Sequence, residues 1–335
     1  MLRLSIIIPA LGDWEALETT LVAVLQNRPP RSEVMVVTNA TYADPYDLRE
    51  EVQFVQGARR AGLVELVNQG VATARGEVLH LVCCGATVSD GWTDAALRHF
   101  RDSKVAAVAP LVVDSGCVTN VATAGSVWSP GGKWSPFGSG EQADVVAETG
   151  KNWIGPAFVA GFYRRSLLVE LGAFDSSLPA ELAAVDLGLR LRQENHRSLL
   201  EASSLLAMST ADLPHSAAFA HGWHSERLFW RHLGDQHSGG QRRLSRIAAH
   251  AGVVLTESLR QFGRPAGMAR MLGRIVGACD ACKARRQAPS LAATNRSPVT
   301  SADRRIDGPH EFSSPAHGPA ICRPSAILFS SEETA

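Results

Sequence analysis

From Leu4 to Met208 the apolar positions alternate between two rhythms. Leu4 to Ile8, Val34 to Val37, Val78 to Val82 and Val105 to Val113 are short, continuous and largely β-branched, the pattern of strands buried on both faces. Pro9 is expected to end the first of them, since proline cannot donate to a ladder. Between these runs the spacing turns helical. Leu17, Leu21, Val24 and Leu25 share one face of Trp14 to Gln26, behind an N-cap at Asp13. Helices are also predicted over Asp47 to Val52, over Ala61 to Arg75 closing on Gly76, and over Gly91 to Arg101 with Asp90 as cap. Strand and helix in alternation predict an α/β fold with a doubly wound, mostly parallel sheet.

The pattern dissolves between Asp114 and Asn152 into Gly, Ser, Pro and Trp, which reads as a long loop or β-excursion and a candidate lid. Periodicity returns with an apolar run Ala157 to Tyr163, helices over Ser166 to Leu171 and Ala180 to Gln193, and a late strand over Ser198 to Met208. A helical stretch after Pro214 carries His215, His221, His224, His232 and His237, and basic helices follow from Arg242. Beyond Arg285 apolar periodicity is lost and disorder is expected. The implied organisation is a domain over residues 1–210, a helical extension over 211–284 and a tail over 285–335.

Charge narrows the partners. The 335 residues carry 33 basic and 33 acidic side chains, so no overall field draws the chain to nucleic acid. No run approaches the roughly 20 apolar residues of a membrane span. The opening residues are too short an apolar run for a signal-peptide core and read as a strand. Six scattered cysteines are not a disulfide scaffold, and a reducing, cytoplasmic setting is expected, with peripheral contact to a membrane through the basic helices as the addition. Cys279 and Cys282 have the C-x-x-C spacing of zinc and redox sites, but no second pair follows.

Several stretches in order resemble the family-2 glycosyltransferases of the GT-A fold: Ser5-Ile6-Ile7-Ile8-Pro9, the strand Glu33 to Val37, Asn68 through Leu79, Gly161-Phe162-Tyr163-Arg164-Arg165 through Gly172-Ala173-Phe174-Asp175, and Asp186-Leu187-Gly188-Leu189-Arg190. The resemblance implies a GT-A-like sheet, a nucleotide-sugar donor and a glycan acceptor. The strands Leu4 to Ile8, Val34 to Val37 and Val78 to Val82 would deliver Pro9, Asp13, Thr38, Asn39, Cys83 and Gly85 to the nucleotide. Arg164, Arg165, His215 and Trp153 are the candidates for the diphosphate or the acceptor.

Three departures change what the resemblance implies. Thr38-Asn39 replace the acidic pair that helps to read the base. Cys83-Cys84-Gly85 replace the Asp-x-Asp that holds a divalent cation, and hard cations prefer oxygen ligands. Ala183-Ala184 replace the acidic pair that supplies the base, leaving Asp186 and Glu181 as catalytic candidates. No metal site and no cofactor are expected. The reading is a degenerate or non-catalytic glycosyltransferase-like protein. The alternatives are an active metal-independent enzyme using Glu181 or Asp186, and a scaffold for glycan-assembly proteins.

Overall fold

The computed structural model describes residues 4–146, 152–233 and 240–287. The expected tail beyond Gln287, and His237, lie outside them. In chain order the first half runs β1 (Leu4–Ala10), α1 (Trp14–Asn27), β2 (Ser32–Thr38), β3 (Val52–Gln56), α2 (Leu63–Thr73), β4 (Val78–Val82), β5 (Thr87–Val88), α3 (Asp94–His99) and β6 (Val105–Asp114). The second half runs β7 (Cys117–Thr123), β8 (Ser126–Trp128), β9 (Trp134–Pro136), β10 (Trp153–Gly155), β11 (Ala160–Arg164), α4 (Arg165–Glu170), α5 (Ala180–Gln193), β12 (Arg197–Met208), α6 (Ala218–Leu233), α7 (Gly240–Arg260) and α8 (Pro265–Gln287).

Among the described residues the main sheet has nine strands, ordered β3-β2-β1-β4-β11-β6-β12-β5, with β7 paired to β6. Its left half is parallel throughout. β11 runs antiparallel to both β4 and β6, so the sheet is mixed at its centre and mostly parallel as a whole. The Asp114 to Asn152 stretch is a β-excursion: β7 extends the main sheet, while β8 and β9 form a small second sheet with β10. Several predicted boundaries move. β1 runs through Pro9 to Ala10, because its pairing with β4 ends at Ile7 and no ladder bond is asked of the proline on that side. Between Asp47 and Val52 only a short 3₁₀ turn forms, over Leu48–Glu50. Thr93, not Asp90, precedes α3, after a turn that Gly91 enters at positive φ. α2 stops at Thr73, and Gly76 instead donates its amide to Ser5 Oγ.

The core is the sheet and the apolar faces of its helices, with Ile6 to Ile8, Val34 to Val37 and Val78 to Val82 all buried. A polar chain crosses it. The Trp92 indole donates to His80 Nε2 at 3.0 Å, His80 Nδ1 donates to the Gly161 carbonyl at 3.2 Å, and the imidazole stacks on Phe162 at 3.6 Å. Accepting at one nitrogen and donating at the other is the work of a neutral ring. Burial lowers the His80 pKa to about 3, against the pull of the Gly161 hydrogen bond. Between that value and the ordinary 6.5 the unfolded chain binds the extra proton, so stability falls as pH falls below 6.5. The slope is about 1.4 kcal/mol per pH unit. Urea titrations should show a shallower loss from pH 6.5 to 5 in His80→Gln than in the parent chain; equal slopes would place the ring's titration elsewhere.

Candidate functional site

The crevice is set by three loops at the carboxyl ends of β1, β2 and β4, where ligands of open α/β sheets bind. Register puts Ala10 beside Thr38, and Cys83 follows directly on Val82. Asp13 caps α1 by accepting from the Ala16 amide at 3.1 Å. That helix in turn holds the central turn: Gly85 N donates to Ala16 O at 3.1 Å, and Thr20 Oγ1 donates to Ala86 O at 2.8 Å. Pro9, Asp13, Cys83, Cys84 and Gly85 are thus brought together. Thr38 and Asn39 close the neighbouring strand, but Asn39 Nδ2 is committed to Ala61 O at 2.9 Å.

The side chains of the turn itself offer no oxygen ligand. Cys83 is buried, its Sγ faces the Phe158 carbonyl and its amide donates to Val159 O; burial pushes its thiol well above the ordinary range. Cys84 donates to Pro9 O at 3.1 Å, and burial with the nearby Asp13 charge pushes its thiol up to about 12. Both thiols are tied to backbone carbonyls, and sulfur is in any case a soft ligand where a hard cation prefers oxygen. Gly85 sits at φ +87°, and a Cβ there would stand 3.8 Å from Asp212 Oδ2. Among the described residues no group of three or more His, Cys, Asp or Glu could hold an ion. Cys279 and Cys282 are exposed and free.

Beside this turn lies a cavity of about 270 Å³, walled by Ser126, Trp134, Phe158, Glu181, Leu213 and His215. Glu181 comes from the first turn of α5 and is buried there. One carboxylate oxygen accepts from the Ser216 amide at 3.1 Å, from the Ser216 hydroxyl, and from His221 at 3.3 Å. Burial pushes the Glu181 carboxyl up, but the hydrogen bonds from His221 and Ser216 outweigh it and hold it below the usual carboxylate range. His215 turns Nδ1 to its own loop at Leu213 O, 2.9 Å away. Trp134 is half-buried on β9, 5.9 Å from the His221 ring.

The other candidates are elsewhere. Asp186, five residues beyond Glu181 on α5, opens to a different depression shared with Asp175, Arg190, Arg231 and His232. Its carboxylate takes Arg190 Nε at 2.8 Å, His232 Nε2 at 2.8 Å and Arg231 at 3.3 Å. Arg190 continues to the Leu171 and Ala173 carbonyls, which fixes the turn after α4. The i,i+4 ion pair is therefore one edge of a buried cluster. Arg164 is paired in register with Val78, at the opposite end of β4 from the crevice, and its guanidinium holds the carbonyls of Phe100, Asp102 and Val105. The Arg165 amide bonds Glu77 O at that same end. Neither arginine reaches the crevice, a correction that follows from β11 running antiparallel to β4. Trp153 is also corrected: it is buried, its indole donating to Ala124 O at 3.0 Å. Ser216, His221 and Asp212 gave no signal in the sequence beyond a histidine-rich stretch, because the loop before α6 and the first turn of that helix bring them to the site.

A mixed sheet with a carboxyl-end crevice, flanked by a small β-excursion and a buried helix after β11, is the GT-A fold of glycosyltransferases. No family model matches the chain. The S. aureus TarS fragment 1–349 in complex with UDP-GlcNAc superposes with a TM-score of 0.57 at 12% identity, over 83% of this chain and 81% of that one. GalNAc-T7 with UDP, GalNAc and Mn2+ superposes with a TM-score of 0.50 at 18% identity, over 62% of this chain and 43% of its own. In sequence, 109 residues are 28% identical to polypeptide N-acetylgalactosaminyltransferase 12 of Mus musculus, 30% of this chain and 19% of that protein. The chain thus spans less than half of either N-acetylgalactosaminyltransferase.

Proposed function

We propose that this chain is a degenerate member of the family-2 glycosyltransferases, binding a nucleotide-sugar or glycan in the GT-A crevice without metal-assisted transfer. In this reading residues 1–210 carry the crevice and 211–284 form a helical extension. The observation that carries it is the sealed turn Cys83-Cys84-Gly85, whose thiols are tied to the Phe158 and Pro9 carbonyls and which offers no side-chain oxygen of its own where the diphosphate's cation would sit. The cations that a metal-free transfer needs for the departing diphosphate are also short: Arg164 and Arg165 are at the far end of the strands, leaving His215.

The Glu181 cavity favours a second reading, a metal-independent transferase. Glu181 would take the acceptor hydroxyl's proton, and Trp134 would offer a face to a sugar ring. The carboxylate's depressed basicity weakens it as a general base, since the ideal pKa lies near the working pH.

Calorimetric titration with uridine, guanosine and thymidine diphosphates and their sugars, with and without manganese, separates the two. Binding should be weak and unchanged by manganese, and no sugar should be released or transferred. Trp134→Ala is expected to lower any glycan affinity by about tenfold, the loss of roughly 1 kcal/mol or more of ring contact. Manganese-dependent tightening would contradict the sealed turn. Transfer at ordinary rates, lost in Glu181→Gln, would establish the second reading instead.

A further inference from the structure

α7 and α8 are amphipathic with their faces assigned. On α7 the inner face carries His250, which bonds Gly131 O at 2.7 Å and Glu226 at 2.9 Å, and Glu257, which pairs with Arg274 at 2.9 Å. On α8 the inner face carries Gly273 and Gly277, where a Cβ would collide with the Phe219 and Trp223 carbonyls of α6. Opposite these faces each helix shows solvent an apolar stripe. Leu244, Ile247, Leu255 and Leu259 recur at helical spacing along α7, and Phe262 in the loop to α8 continues them, 86% exposed. Met268, Met271, Leu272, Ile275 and Val276 do the same along α8. Leu259, 70% exposed, and Phe262 lie where the two helices meet.

The charge around the stripes has one sign. Residues 240–287 hold ten basic and two acidic side chains, a net charge of +8 in a chain that is neutral overall, so the remainder carries −8. Both acids are engaged inside, Glu257 with Arg274 and Asp280 with the Trp223 indole. Arg243, Arg260 and Arg264 are exposed, and among the described residues none has an ion pair. Two such faces from two copies would set like charges together, whereas an anionic bilayer meets both the arginines and the apolar stripe. No described helix is long and apolar enough to cross a membrane.

We propose that the α7–α8 hairpin is a membrane-docking surface that lies in the interface of a bilayer containing anionic phospholipid. The apolar stripes enter the boundary between headgroups and acyl chains, and the arginines hold the lipid phosphates. The acidic remainder of the chain is repelled, which fixes the orientation of the molecule. The proposal stands independently of whether the crevice transfers sugar.

Flotation of the full chain with phosphatidylglycerol-rich vesicles and with phosphatidylcholine vesicles tests it. Binding is expected to the first and not the second, and to weaken as salt rises from about 0.1 M to about 1 M, where screening shortens from about 10 Å to about 3 Å. Arg260→Ala and Arg264→Ala should each lower partitioning about fivefold. Leu259→Glu with Phe262→Glu should lower it more than tenfold while leaving the melting curve intact, since both side chains already face water. Absence of anionic-lipid preference, or binding indifferent to the paired glutamates, overturns the proposal. So does a dimer in lipid-free solution that the same glutamates dissociate, because the stripes would then cover a second copy.

Discussion

Rebuilding an Asp-x-Asp in this crevice, by Cys83→Asp with Gly85→Asp, is expected to unfold the site rather than to create a metal centre. The Cys83 side chain is 4% exposed and points at the Phe158 carbonyl, an acceptor that a carboxylate cannot bond. An unpaired charge buried there costs about 3–5 kcal/mol. Gly85 adds a second cost of different origin. Its surroundings are open, with nothing nearer than 3.8 Å to a Cβ, so bulk is no obstacle; the backbone at φ +87° is. A non-glycine residue held in such a conformation costs about 1–3 kcal/mol, and the new carboxylate would also stand beside Asp212. Gly85→Ala isolates the backbone term and should cost about 1 kcal/mol by urea titration. Against a typical stability of about 5–15 kcal/mol the double variant should show a large fall in melting temperature by circular dichroism, with no manganese-dependent rise. A double variant that melts like the parent and binds manganese would mean the turn can open, and the sealed-site reading would fail with it.

What the sequence disclosed and what it withheld follow from the range of the forces involved. The buried strands and α5 are legible because continuous β-branched runs and helical apolar spacing are local signals; Ala180–Gln193 is the predicted helix to the residue. The crevice loops are legible for the same reason, since each simply ends a strand. Strand order is not local. Nothing in Gly161-Phe162-Tyr163-Arg164 says that β11 inserts antiparallel between β4 and β6, yet that one fact carries Arg164 and Arg165 to the wrong end for a diphosphate. Glu181 and Asp186 illustrate the other limit. Five residues along a helix leave two side chains about 140° apart, so the two carboxylates line different cavities, but which one faces the crevice depends on the first turn of α6, with His221, and on the loop that carries Ser216.

Asp186→Ala is expected to destabilise the chain by about 3–5 kcal/mol, because it leaves Arg190, Arg231 and His232 without the carboxylate they share. Asp186 is 1% exposed, so water does not replace it. The consequence spreads through Arg190 to the Leu171 and Ala173 carbonyls, where Ala173 is held at φ 58°, and through Arg231 to Asp175. Calorimetry should register a fall of about 10 °C in melting temperature. The pH dependence has a defined sign. Burial raises the Asp186 carboxyl, but the His232 hydrogen bond and the charges of Arg190, His232 and Arg231 outweigh it and bring it below its ordinary value of 3.8. A carboxylate depressed on folding contributes stability that is fully present above the unfolded value and lost as pH falls through the folded one. The difference between parent and Asp186→Ala should therefore hold from neutrality to about pH 4 and shrink below it. Asp186→Asn keeps one acceptor and the side-chain volume, and should lose less stability while leaving nucleotide or glycan affinity unchanged. If Asp186→Asn instead retains the parent's melting temperature and abolishes ligand binding or transfer, Asp186 serves the site and not the fold, and the depression it shares with Arg231 and His232 becomes the place to look for substrate.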